Sequence, residues 1–106
     1  MFAIAFDLDT DKLKQSYHNQ SFNNAYKEIA DCLLRHGFRP QQGSVYFGDQ
    51  NVNAVSTVLA IMDLTSRCAW FQPSVRDVRM LRIEDNNDLM PAVTQAAGSA
   101  KPVAAE

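Results

Sequence analysis

Asp7 is the first side chain in this 106-residue sequence placed where chemistry can happen. It follows the apolar run of residues 2–6 and precedes the polar Asp9-Thr10-Asp11-Lys12, so it marks the carboxyl end of a buried strand, an edge at which open α/β layers hold ligands and metals. The same pattern suits Asp7 and Asp9 as residues that stop the strand and open a turn. Ser44 is a second candidate. It begins a strand-forming run and would set a hydroxyl beside Asp7 if the two strands are neighbours, or bond that hydroxyl to nearby backbone. No base follows it at a recognisable spacing, so a serine triad has no support. Arg76, Arg79 and Arg82 fall within seven residues and form the densest basic cluster. Their planar, permanently charged forks fit the phosphates of an RNA backbone, and equally fit surface ion pairs with Asp77, Glu84 and Asp85. His18 stands alone in a polar stretch, where histidine is usually solvated.

These residues need elements to position them. Residues 2–6 read as a strand, and residues 9–21, with mixed charge and no period, as a long loop or short helical turn. Phe22, Ala25, Tyr26, Ile29, Cys32 and Leu33 recur at helical spacing over residues 22–36, with Ser21 as cap, an Asp31–Arg35 surface pair and Gly37 as terminator. A short strand broken near Pro40 and Gly43 leads to a better strand at residues 44–47. Val52, Val55, Leu59 and Met62, widened by Val58, Ile61 and Thr65, predict a second helix to about Arg67, capped by Asn51 or Asn53. After the aromatic turn of residues 70–74, residues 75–84 read as a strand whose imperfect alternation suits a bulge near Met80 or a strand buried to different depths on its two faces. Residues 91–106 are rich in Ala, Gly, Ser and Pro and are expected to be a disordered tail.

Strand, helix, strand, strand, helix, strand is the order of the ferredoxin-like α+β sandwich, an antiparallel sheet with both helices on one face. One domain over residues 1–90 is expected, small enough to gain from burying its uncovered face in a dimer. A formal charge of −2 gives no overall basic field, so any RNA binding must be local. Cys32 and Cys68 have no CxxC spacing and read as core residues of a protein in a reducing cytoplasm. Neither a signal peptide nor an apolar stretch of spanning length is recognised.

A resemblance sharpens the reading. Phe6-Asp7-Leu8, Asn24-Ala25-Tyr26, Gly37-Phe38, Gln42-Gly43-Ser44-Val45-Tyr46, Trp70-Phe71, Ser74-Val75-Arg76-Asp77-Val78-Arg79 and Glu84-Asp85 occur in the order and spacing of the virulence-associated protein D (VapD) family, over residues 1–89. The resemblance implies a ferredoxin-like fold, a homodimer and an endoribonuclease, in some operons the toxin of a toxin–antitoxin pair with a protein antitoxin. Carried over by position, it implies catalytic roles for Asp7, Asp77 and Ser44 and phosphate binding by Arg76 and Arg79. Two routes stay open: a divalent metal such as magnesium on Asp7, or a metal-free route in which a carboxylate deprotonates the ribose 2′-hydroxyl. The Ala-rich tail departs from the family pattern. A non-catalytic ferredoxin-like module that binds a protein or RNA is the competing class.

Overall fold

A computed structural model describes residues 1–18 and 21–99. The elements are β1 (Phe2–Leu8), α1 (Thr10–Ser16), α2 (Asn23–Arg35), β2 (Phe38–Gln42), β3 (Val45–Gly48), α3 (Ala54–Arg67), α4 (Phe71–Ser74), β4 (Val75–Arg82) and α5 (Met90–Ser99). The strands form one sheet in the order β2-β3-β1-β4, every neighbouring pair antiparallel. That order, with α2 and α3 as the crossovers, is the ferredoxin-like arrangement expected from the sequence.

Alternation along β1 decides what each face carries. Ile4, Phe6 and Leu8 are buried under the helices, where Phe6 stacks on Tyr46 at 5.8 Å and meets Phe71 edge-on at 6.3 Å. Ala3, Ala5 and Asp7 point to the other face, on which Ala3 is buried and Asp7 exposed. Ala25, Ile29, Cys32 and Leu33 form the buried stripe of α2, as its period predicts. Gly37 follows with φ +85°, a left-handed conformation that costs glycine nothing, and its carbonyl accepts a hydrogen bond from the Asp49 N–H.

Several local expectations are corrected. The segment after β1 is a helix, α1, because Asp9 caps it by accepting from the Asp11 and Lys12 N–H groups and because Leu13 and Tyr17, four apart, both enter the core. Two apolar positions are too few to show a period. Phe22, with no side-chain cap bond, precedes α2, while Ser21 contributes its carbonyl to the Asn24 N–H. Asp31 pairs back to Lys27 at 3.0 Å rather than forward to Arg35. Residues 91–99 of the expected irregular tail are helical, as part of α5, yet no residue of α5 is buried; the rest of the tail, 100–106, lies outside the described residues.

The largest correction concerns α3. Asn53 and Ser56 form a capping box at its start, as the sequence allows. Its buried residues, however, are Thr57, Ala60 and Leu64, whereas Val55, Val58, Leu59 and Met62 are 70, 52, 53 and 61 % exposed. A helix apolar almost all round has no unique inward face. Here the small Thr57 and Ala60 go inward together with Leu64, while Leu59 and Met62 are left outside.

Candidate active site at the open sheet face

The site is built by the ladder between the two strands at one edge of the sheet. β1 and β4 pair regularly from Phe2↔Arg82 to Asp7↔Asp77, and then Leu8 pairs with Val75. Arg76 is therefore the extra residue of a β-bulge, and the phase shift expected near Met80 lies here instead. A bulge bends its strand and re-aims the side chain it carries. Arg76 turns onto Asp7: its Nε lies 3.2 Å from Oδ2, and its Nη2 donates to Oδ1 at 3.4 Å. One position along, Arg79 Nε donates to both carboxylate oxygens of Asp77, at 3.0 and 3.2 Å.

Asp7 and Asp77 are direct cross-strand partners, so two like charges share one spot on the open face. The two arginines compensate that repulsion. Since the side chains of Arg76 and Asp7 are 60 and 61 % exposed, their pair contributes only about 0–1 kcal/mol to stability. Its effect is one of position. A carboxylate is held at the sheet surface beside a guanidinium whose remaining N–H groups can take a phosphate oxygen.

Ser44 is at the same end but is not part of the cluster. Gln42 pairs with Val45 across a two-residue turn, with Gly43 at φ +55°, so Ser44 sits in the hairpin turn and not on β3. Its carbonyl accepts from the Phe6 N–H at 3.1 Å, next to Asp7 in the chain, while its hydroxyl makes no hydrogen bond among the described residues. Asp9 closes the same end. Its backbone N–H donates to the Ser74 carbonyl at 2.8 Å, and its carboxyl is held below the ordinary value, chiefly by the Lys12 N–H, with the Asp11 N–H and the Arg76 charge adding. A polar cleft lined by Lys12, Gln15, Ser16, Gln72, Pro73 and Val75 adjoins it.

Within one chain this donor set does not fit a divalent ion on Asp7. Both of its oxygens already meet the fork of Arg76, and the neighbouring carboxylate, Asp77, is engaged by a second guanidinium. Among the described residues, the group that can converge on a metal is Cys32, His36 and Asp63, in the helix layer.

Two features escape a reading by sequence. Arg39 pairs with Phe47, which in turn pairs with Ala3, so a third cation shares the open face; only the strand register reveals it. Tyr17 donates a short hydrogen bond to Glu28, tying the end of α1 to α2. Burial first, and then the carboxylate of Glu28, push the Tyr17 phenol up to about 12. His18, whose ring lies 4.4 Å from that of Tyr17 and whose Nε2 is 3.8 Å from Glu28, belongs to this tie and not to the Asp7 cluster.

The chain is similar in sequence to known proteins over most of its length. The chain is 48 % identical over 94 residues to "Endoribonuclease VapD 2" of Riemerella anatipestifer, covering 89 % of this chain and 100 % of that protein. It is 48 % identical over 93 residues to "Endoribonuclease VapD homolog" of Helicobacter pylori, covering 88 % and 96 %. With "Endoribonuclease VapD" of Dichelobacter nodosus it shares 42 % over 96 residues, covering 91 % and 100 %. No protein-family model matches the chain.

Proposed function

The chain belongs to the VapD family, and we propose that it is an endoribonuclease that cuts RNA at the open sheet face, around Asp7. The observation that carries the reading is the bulge that forks Arg76 onto Asp7. The bulge sets a carboxylate and a guanidinium with free N–H groups side by side on the face across which an RNA backbone would lie.

In the proposed reaction the RNA backbone lies across β1 and β4. Arg76 and Arg79 bind the non-bridging oxygens of the scissile phosphate, where charge grows in the transition state. As Arg76 turns to the phosphate, Asp7 takes the proton of the ribose 2′-hydroxyl. The 2′-oxygen attacks phosphorus, the bond to the 5′-oxygen breaks, and that oxygen takes a proton from a solvent water, whose hydroxide is neutralised by the proton held on Asp7. The products are a 2′,3′-cyclic phosphate and a 5′-hydroxyl. No step is routed through a metal.

The same reading includes a homodimer. β4 is an edge strand with Val78, Met80 and Leu81 exposed, and the large apolar face of α3 lies beside it across a groove lined by Ile4, Thr57, Ile61 and Met80. An uncovered strand edge next to an apolar helix face is a liability that a second copy removes. A toxin role rests on the family resemblance; a cognate protein antitoxin would act by covering Arg76 and Arg79. Two free, buried cysteines fit a cytoplasmic protein, and among the described residues no helix is long and apolar enough to cross a membrane.

End-group analysis of the products tests the route. Cyclic phosphate and 5′-hydroxyl ends formed in chelator are expected; 5′-phosphate ends that require magnesium would put the metal route in its place. Binding of RNA without any cutting would leave the non-catalytic module.

A further inference from the structure

We propose that Cys32, His36 and Asp63 form a zinc-type metal site that joins α2 to α3, in the helix layer on the far side of the sheet from Asp7. Cys32 and His36 are four apart at the end of α2, which places both side chains on one face of the helix. Asp63 comes from α3. The three donor atoms lie within 4.8 Å of one another, with His36 Nε2 2.7 Å and Cys32 Sγ 3.8 Å from the same oxygen, Asp63 Oδ2.

The distances are near those of a tetrahedral site. Zinc bonds of about 2.3 Å to sulfur and about 2.0–2.1 Å to nitrogen or oxygen require donor-to-donor edges of roughly 3.3–3.6 Å. The His36–Asp63 edge must open by about 0.6 Å, the Cys32–Asp63 edge close by a few tenths of an ångström, and the Cys32–His36 edge, which lies within 4.8 Å, close by up to about 1.2 Å, movements made by side-chain rotation. Thiolate, imidazole and carboxylate together select a zinc-like ion over magnesium or calcium, which prefer oxygen alone.

The carboxylate is already oriented for ligation. Arg67 Nε donates to Asp63 Oδ1 at 2.9 Å, so it holds the oxygen that faces away from the thiol and the imidazole and leaves Oδ2 turned toward them, as outer partners of ligating carboxylates do. Arg67 and Arg35 flank the site with positive charge. Against them stand the Asp63 carboxylate, the thiolate and the negative end of the α2 dipole, so a divalent ion leaves the centre itself neutral. A simple clamp between the helices needs only His36 and Asp63. Cys32, a member of the buried stripe of α2, adds a thiol whose Sγ faces the shared oxygen.

Binding is a ligand exchange without redox change. The Cys32 thiol gives its proton to solvent, the His36–Asp63 hydrogen bond gives way to two metal bonds with the imidazole proton on Nδ1, and a water takes the fourth position.

The test is titration of the metal-free full chain with cobalt(II) and then zinc(II), with no RNA present. A sulfur-to-cobalt charge-transfer band and intense tetrahedral visible bands are expected at one ion per chain, bleached by zinc, together with a zinc-dependent rise in melting temperature. Cys32→Ser should remove the charge-transfer band. His36→Gln should weaken zinc binding at least about tenfold, and Arg67→Ala should do so by about tenfold, since outer partners count for that much. Cys68→Ser should change nothing. Circular dichroism of each variant separates lost ligation from lost fold. A wild type without these bands, or a band lost with Cys68 and kept without Cys32, overturns the site.

Discussion

Arg76 grips Asp7 from the bulge of β4, with Nε 3.2 Å from one carboxylate oxygen and Nη2 3.4 Å from the other. In a regular ladder, residue 76 would face the helix layer opposite to Asp77. The extra residue brings it round to the side that carries Asp7, and so makes a two-point contact between strands whose sequence positions are 69 apart.

A lysine at this position keeps the charge and loses the fork. Arg76→Lys is expected to lower the rate of RNA cleavage by about 10²-fold, the usual effect of removing one donor that stabilises growing charge. The exposed position should leave unfolding free energy within about 0.5 kcal/mol. Single-turnover cleavage beside chemical denaturation checks both halves; equal rates in the two proteins would remove Arg76 from the phosphate.

The tie between α1 and α2 gives a signature in alkali. The Tyr17 phenol titrates near 12 in the folded protein against 10.0 for an ordinary tyrosine, raised by burial and by Glu28. A folded value above the unfolded one means that the neutral form supports the fold. Its contribution is therefore full below pH ~10 and fades as pH rises toward ~12. Tyr17→Phe should cost about 1 kcal/mol at neutral pH, discounted from a fully buried bond to a charged acceptor because Glu28 is partly exposed. The gap between wild type and variant should then shrink between pH 10 and 12 in a melting series.

Much of this fold was legible in the sequence, and what was not has identifiable causes. The strand order, α2 and its glycine stop were readable because period and punctuation agree in those segments. α3 misled because Val55, Val58, Leu59 and Met62 are more hydrophobic than the buried Thr57 and Ala60, and periodicity weighs hydrophobicity where packing selects fit. In the site, Asp7 and the arginines stood out by type. Their pairing did not, since it depends on a one-residue slip of register, and Ser44 looked like a strand residue until the Gly43 turn took it out of β3. Asp63 lies 27 residues from His36, and no local pattern connects them.

The exposed face of α3 should prove to be covered in solution. Leu59→Glu together with Met62→Glu is expected to turn a dimer into a monomer in size-exclusion chromatography with light scattering, with secondary structure unchanged, because neither side chain enters the core. A wild type that runs as a monomer at high concentration would count against the dimer.

The end of the chain should be dispensable for the core. α5 buries no residue, so a chain stopped at Met90 should melt within about 0.5 kcal/mol of the full chain. A larger loss would mean that residues 91–106 belong to the folded domain.

The central claim is that Asp7 takes a proton in RNA cleavage, and cutting of an end-labelled RNA by wild type and by Asp7→Asn, each with chelator, tests it most directly. Asparagine keeps the shape and a hydrogen bond to Arg76 but cannot act as a base. Discrete products from wild type in chelator, and a loss of at least about 10²-fold in the variant at unchanged melting temperature, are expected. Identical products at identical rates from the two proteins would contradict it.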